Sequence, residues 1–292
     1  MDIVITYVDG NDPVWKKDYE KYTHIPVMQK RFRDWGTLKY LLRGVEVNMP
    51  FIRNVYLVVS HPSQVPEWVD QENLKIVLHK DIIPAEYLPT FNSNPIEMHL
   101  HRIEGLDEEY LYFNDDLFPV GKCTPEDFFR NGKGVLGFKK HFLSYGMYKK
   151  ICRNSDRLAR KAAGLKPSMS FLRPQHICTS MFRSECEKIY EQMKEDILAS
   201  LTRTRTARNV TQYMFLNYQY YIGKMIPERI LSQHCSLAVV SAEKLASYIL
   251  NPRKSILCIN DVKLSEKRYT LIRTTIHECF QKTFPVKSRF EK

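Results

Sequence analysis

Tyr110-Leu111-Tyr112-Phe113-Asn114-Asp115-Asp116-Leu117-Phe118 is an aromatic and apolar run that ends in an amide and two adjacent carboxylates. Its first four residues read as a buried strand, which delivers Asp115 and Asp116 at its carboxyl end. Burying such a pair is costly unless hydrogen bonds, a basic side chain or an oxygen-liganded divalent cation offsets it. Asn-Asp-Asp is equally ordinary turn chemistry. The stretch alone leaves both readings open, a solvated turn or a cation anchor able to grip a diphosphate.

On either side of it, strand and helix signals alternate. Asp2 to Val8 reads as a first core strand, followed by the turn-forming Asp9-Gly10-Asn11-Asp12-Pro13. Trp35, Leu38, Leu42 and Val45 recur at helical spacing, which predicts a helix from Asp34 to about Asn48. Val55–Val59 and Leu74–Leu78 read as buried strands, and Pro95 to about Ile103 as a helix with proline in its first turn. Strands joined by crossover helices predict an α/β fold on a mainly parallel sheet with helices on both faces. Ligands of such sheets bind outside the carboxyl ends of the strands, where both Asp9–Asp12 and Asn114–Asp116 fall. From 121 to 174 the pattern loosens into a basic segment, with a strand expected at Val135–Phe138 and helical character around Ser155–Ala163. It reads as an insertion within a single catalytic domain spanning 1–292. Helices are then expected at Ser184–Ala199, Asn209–Tyr221, Ala242–Leu250 and Glu266–Phe280, with strands at Leu237–Val240 and Ser255–Ile259.

The 292 residues suffice for a large core, and 43% apolar with 26% charged residues is ordinary globular composition. Seven scattered cysteines form no CxxC or zinc pattern, so buried reduced thiols and a cytoplasmic setting are expected. No targeting segment is expected at the start, and the apolar runs are too short to span a bilayer. The net charge of +11 clusters in 139–150, 153–173 and 203–208. No nucleic-acid-binding motif accompanies it, so a phosphate-rich ligand or the inner face of the plasma membrane is the expected anionic partner, beside the plain reading of a solvated basic face.

Four separated blocks resemble the Stealth family, which includes bacterial capsular polysaccharide phosphotransferases and the catalytic subunit of animal N-acetylglucosamine-1-phosphotransferase. The first is Asp2-Ile3-Val4-Ile5-Thr6-Tyr7-Val8-Asp9-Gly10-Asn11-Asp12-Pro13. The second begins near Arg31-Phe32-Arg33-Asp34 and runs through Leu88-Pro89-Thr90-Phe91-Asn92-Ser93-Asn94-Pro95-Ile96-Glu97 and His99-Leu100-His101-Arg102-Ile103 to Asp116. The third is His176 followed by Thr202-Arg203-Thr204-Arg205 and Asn209-Val210, and the fourth is Ile259-Asn260-Asp261. Two departures stand out: Tyr7 where the family often has Trp, and Ile177-Cys178-Thr179 without the proline frequent after the histidine. Arg203, Arg205 and Arg208 all compete for one family arginine, with Arg205 preferred from its spacing to Asn209-Val210.

The resemblance implies a Rossmann-like, nucleotide-sugar transferase (GT-A-like) fold with a basic helical insertion. It also implies attack by a saccharide or polysaccharide-phosphate acceptor hydroxyl on the β-phosphorus of a UDP-sugar. Such a reaction transfers a hexose-1-phosphate, for example GlcNAc-1-phosphate, and releases UMP. On this pattern Asp115, Asp116 and Asp261 anchor Mg2+ or Mn2+, with Asp116 also catalytic. His176 takes the acceptor proton, and Arg205 forks onto phosphate oxygens. Asp9, Asn11, Asp12, Arg33, Asn92, Ser93, Glu97, His101 and Asn114 are the substrate-contacting candidates, and Arg31 and Arg33 either reach phosphate or only solvate the helix entry. Glu97 and His101, four apart, would share one helix face. Turn and cap roles remain open for Asp9, Asn11, Asp12 and Asp261. The chain's size argues for a stripped-down bacterial enzyme. Two rivals remain: a metal-dependent glycosyltransferase releasing UDP, and a non-enzymatic binder of anionic surfaces or nucleic acid.

Overall fold

The computed structural model describes residues 1–24, 32–262 and 264–292. Arg31 lies outside them. The strands are β1 (Asp2–Thr6), β2 (Val55–Val59), β3 (Leu74–Leu78), β4 (Glu109–Asn114), β5 (Leu117–Pro119), β6 (Phe129–Arg130), β7 (Lys133–Val135), β8 (Phe138–His141), β9 (Phe171–Pro174), β10 (Thr179–Phe182), β11 (Met225–Ile226), β12 (Ser232–Ser236) and β13 (Ile256–Asn260). The helices are α1 (Pro13–Thr23), α2 (Leu38–Asn48), α3 (His79–Ile82), α4 (Ser93–Glu97), α5 (Gly146–Ala162), α6 (Arg183–Gln192), α7 (Lys194–Ser200), α8 (Tyr213–Tyr221), α9 (Ala242–Leu250) and α10 (Glu266–Thr283). The fold is mixed α/β on a parallel-strand sheet of order β10-β4-β1-β2-β3, with β10 antiparallel to β4 at one edge. A second sheet runs β12-β13-β5, and β8 pairs with β9 in a ribbon.

The chain divides into two compact units: Met1–Val4, Val77–Tyr112 and Pro125–Ile230 in one, and Ile5–Ile76, Phe113–Thr124 and Leu231–Lys292 in the other. In the second unit, all five residues of β2 are buried. Phe118 of β5 packs on Phe280 of α10, which stacks on Tyr40 of α2. Gly44 lets α2 approach β5 closely, since a Cβ there would stand 2.6 Å from the Pro119 carbonyl. One turn on, Asn48 Nδ2 donates to that same carbonyl at 2.9 Å. The buried pair Arg43–Glu291, 2.7 Å apart, ties α2 to the chain's last residues.

In the first unit the core gathers Tyr110, Tyr112, Phe171, Tyr190 and Phe215. Asp156 on the inner face of α5 is buried and fully engaged. Its carboxylate accepts from Tyr221 (2.6 Å), Asn217 (3.1 Å), the Leu172 amide (3.1 Å) and Arg160 (3.1 Å). A buried charge held by four donors fixes α5, α8 and β9 in one arrangement.

Several boundaries differ from the pattern reading. The helix expected over 95–103 stops at Glu97, and a 3-10 turn follows at Leu100–Arg102. The cause is local: His99 Nδ1 takes the Pro95 carbonyl at 2.6 Å, and the His99 amide bonds Ile96 instead. Glu97 and His101 therefore do not share a helix face. The strand expected at Leu237–Val240 is a turn, and β12 lies just before it in the polar Ser232–Ser236. The expected Val135–Phe138 strand is two, β7 and β8, and the helix over 184–199 breaks at Met193. Helix α1 occupies residues next to the supposed loop.

Candidate active site

Asp115 and Asp116 form the two-residue turn between β4 and β5. The Asp116 carbonyl accepts the Ile259 amide at 2.9 Å, which seats the turn against β13. In the second unit these carboxylates meet others. Burial first, then the charges of Asp116, Asp34 and Asp261, push the Asp115 carboxyl up to about 8. Asp34 and Asp261 are also raised, chiefly by burial. Tyr7, just past β1, is raised by burial and then by Asp34, Asp9 and Asp115, and its hydroxyl bonds Asp34. Like charges this close favour the neutral acid.

Each carboxylate is held by its surroundings. Asp34 Oδ1 accepts the Gly36 amide at 2.8 Å, where Gly36 takes φ 69°. Asp34 is thus not the start of α2 but a turn residue facing the cluster. Asp261 accepts the Trp35 indole N–H at 2.9 Å and the Val262 amide at 2.6 Å. Arg33 lies over the Tyr269 ring, 4.1 Å from its centroid, and its charge lowers Asp261. His277 Nε2 sits 2.7 Å from the Trp35 carbonyl. The Cys258 thiol points at Asp116 Oδ2 from 3.7 Å, and burial followed by that charge keeps it protonated.

The loop after β1 is built with equal care. Gln64 clamps the Asp9 backbone, accepting its amide at 2.7 Å and donating to its carbonyl at 3.1 Å. Asp9 Oδ1 accepts the Asn11 amide, 2.7 Å. Asp12 caps α1 by accepting the Trp15 amide at 2.7 Å, with Pro13 at the first helical position. Gly10 donates to the Phe32 carbonyl at 2.7 Å, and a Cβ there would lie 2.2 Å from that oxygen.

A second constellation lies in the first unit. Asn92 caps α4 through the Asn94 amide and donates to the Thr202 carbonyl and Asn209 Oδ1, both at 3.1 Å. Arg205 Nη2 donates to Ser93 Oγ at 2.6 Å, and its Nε carries no hydrogen bond. Arg203 and Arg208 are exposed, while Arg205 is half-buried, so local geometry separates the three arginines. Buried Glu97 accepts from the Thr211 hydroxyl and the Gln212 amide and thus braces the start of α8. His101 is buried against Tyr190 and Phe215, and burial followed by His99, Arg102 and Arg183 pushes it down to about 3. His176 is half-buried in the connection between β9 and β10. Asn114 ends β4.

The sequence reading missed Tyr7, Asp34, Trp35, Gln64, Cys258 and His99. Asp34 stood inside the Arg33-Asp34 pair of the second block and was legible there. His99 is a neutral structural residue: with Nδ1 donating to the Pro95 carbonyl, Nε2 accepts from the Tyr190 hydroxyl at 3.0 Å.

A family model described as Stealth protein CR2, conserved region 2, matches residues 31–136. The whole chain aligns with 99% of a capsular polysaccharide phosphotransferase, WcwK, from Streptococcus pneumoniae at 31% identity. The chain belongs to the Stealth family. It is a phosphotransferase, as the four blocks imply. An exopolysaccharide phosphotransferase from Streptomyces coelicolor is 28% identical over all of this chain and 51% of its own length. Among solved structures, the galactosyltransferase LgtC covers 99% of this Stealth chain at 11% identity, with a TM-score of 0.40.

Proposed function

We propose that the protein moves a sugar-1-phosphate, such as GlcNAc-1-phosphate, from a UDP-sugar to a hydroxyl of a saccharide or polysaccharide-phosphate acceptor. It would act in building a capsular or secreted polysaccharide and release UMP. The observation that carries this reading is the crowding of Asp34, Asp115, Asp116 and Asp261 in a Stealth chain. Their mutual repulsion is what a nucleotide-sugar site with a GT-A-like plan needs before its substrate arrives. Asp115, Asp116 and Asp261 offer carboxylate oxygen, which suits a hard divalent cation, Mg2+ or Mn2+. Asp115, Asp116 and Asp261 would hold it, and when bound it would neutralise charge on the diphosphate.

The chain's own groups take the remaining tasks. His176 accepts the acceptor hydroxyl's proton, and Asp116 helps orient the reacting phosphate. Arg205, held by Ser93, presents its guanidinium to phosphate oxygens. Asp9 and Asn11 read the nucleoside, with Asp12 positioning that loop through its cap. Arg33 faces the donor, and Asn92, Glu97, His101 and Asn114 shape and position the sugar side. The setting is the cytoplasm, peripheral to the inner membrane face. No helix among the described residues is long and apolar enough to cross a membrane.

The test is incubation with UDP-sugars and candidate acceptors, read by the released nucleotide and by phosphorus NMR of the product. UMP release with a phosphodiester signal is expected. UDP release without UMP assigns the chain to glycosyl transfer instead.

A further inference from the structure

From Phe138 to Arg173, both included, stand ten lysines and arginines and one acidic residue, Asp156, which is buried and engaged on the inner face of α5. The helix is sharply two-sided. Ile151, Cys152, Ser155, Asp156, Leu158 and Ala159 are buried, whereas Lys150, Arg153, Arg157 and Lys161 are exposed at successive three- and four-residue spacings. These four form one basic stripe. Lys161 is partly compensated by Asp196 at 2.6 Å.

The segment leading into this helix carries large apolar side chains in water. Phe142 is 64% exposed, Leu143 60% and Tyr145 75%, and Met147 follows in the first turn. Met169, on the return to β9, is 84% exposed. Lys139 and Lys140 flank the run on one side and Lys149 and Lys150 on the other. Lys139, Lys149 and Arg173 converge on His141, whose imidazole is lowered by burial and then by those three charges. Helix α5 also starts without a side-chain cap or an acidic residue in its first turn, so its dipole adds to the positive field.

We propose that Phe142, Leu143, Tyr145 and Met147, with the basic stripe of α5, form a docking surface for an anionic lipid bilayer. Charge complementarity selects an anionic occupant. The exposed apolar residues select a lipid surface over a soluble polyanion, because a hydrated polysaccharide offers them nothing to enter. The cations draw the surface to acidic headgroups, and the apolar side chains then leave water at the headgroup–acyl boundary. Asp156 and its four donors keep α5 rigid, so the stripe is presented without a folding cost on contact. The inference deepens the peripheral placement proposed above by naming the surface responsible.

The test is vesicle flotation of the full chain with phosphatidylcholine alone and with phosphatidylcholine containing phosphatidylglycerol. Binding to the anionic vesicles alone is expected. Lys150→Gln, Arg153→Gln and Arg157→Gln together should weaken it by about a hundredfold, at about fivefold per charge. Phe142→Ser with Leu143→Ser should weaken it at least about tenfold while leaving binding to a soluble acidic polysaccharide unchanged. Circular dichroism checks that each variant is folded. Failure to float with anionic vesicles overturns the proposal. So does an apolar double variant that floats like the parent, which makes the surface a polyanion site. The flotation assay contains no sugar donor, and UMP release in vesicle-free buffer tests phosphotransfer separately.

Discussion

Replacing Asp115 by Asn should stabilise the cation-free protein at neutral pH while abolishing turnover. Because Asp115 is raised to about 8 in the folded chain, the fold retains a proton that the unfolded chain releases near the ordinary carboxyl value. The sign follows: stability is unaffected at low pH, falls as pH rises from about 4 to about 8, and levels beyond. At pH 7 about three pH units of mismatch, at about 1.4 kcal/mol each, set a ceiling of about 4 kcal/mol. Asp34, Asp116 and Asp261 share the repulsion and relax with it, so a gain of about 2 kcal/mol is expected, or about 4 °C in Tm. The assay is thermal unfolding of parent and variant in chelator at pH 5, 7 and 8.5, then with Mg2+. The gap should widen with pH, and Mg2+ should raise the parent more than the variant. A variant that is less stable than its parent at pH 7 in chelator, or a gap that does not change with pH, would falsify the view of this turn as a repulsive cluster.

Arg205→Ala should lower kcat by about a thousandfold, whereas Arg203→Ala and Arg208→Ala, both exposed, should stay within a few-fold; equal losses at all three would remove the geometric distinction. Arg43→Ala leaves Glu291 buried without its partner and should cost about 3–5 kcal/mol in urea unfolding, with kcat of the surviving folded fraction unchanged. Gly10→Ala forces its new methyl against the Phe32 carbonyl and should raise KM for the donor about tenfold or more through displacement of the Asp9–Asp12 loop. Normal kinetics in that variant would show that the loop does not touch substrate.

Much of this molecule was legible in the residues. The apolar runs at Val55–Val59 and Tyr110–Phe113 became buried strands because β-branched and aromatic side chains in short bounded runs have few other ways to be buried. Leu74–Leu78, expected buried as well, is instead a strand at the sheet edge with Lys75 exposed and Ile76 and Leu78 half-buried. Asp12-Pro13 is cap-and-first-turn chemistry, yet the same letters spell a turn, so α1 stayed hidden until its amides could be followed. The helix expected over 95–103 failed for a reason no periodicity carries, the capture of a carbonyl by the His99 ring. Strand β12 escaped because Ser232-Gln233-His234-Cys235-Ser236 lies at the edge of its sheet and needs little apolar character. At the candidate site, the sequence announced Asp115, Asp116 and, through the family resemblance, Asp261, but not the parts played by Tyr7 and Asp34 beside them. Tyr7 and Asp34 join them only through the turn at Gly36 and the strand order, which are properties of the folded chain. Of the two readings left at Asn114-Asp115-Asp116, the turn is what the structure contains, and that turn sits in a charged cluster.

All seven cysteines are buried and none forms a disulfide, and Cys258 sits beside Asp116. The protein thereby carries its own reporters of breathing. A thiol reagent offered to the native chain can reach Cys258 only through a local opening at the carboxylate turn, while Cys152 and Cys186 wait for larger openings around α5 and α6. Labelling read residue by residue by mass spectrometry, with and without a UDP-sugar and Mg2+, would then chart whether either tightens the second unit, without any label having been engineered in.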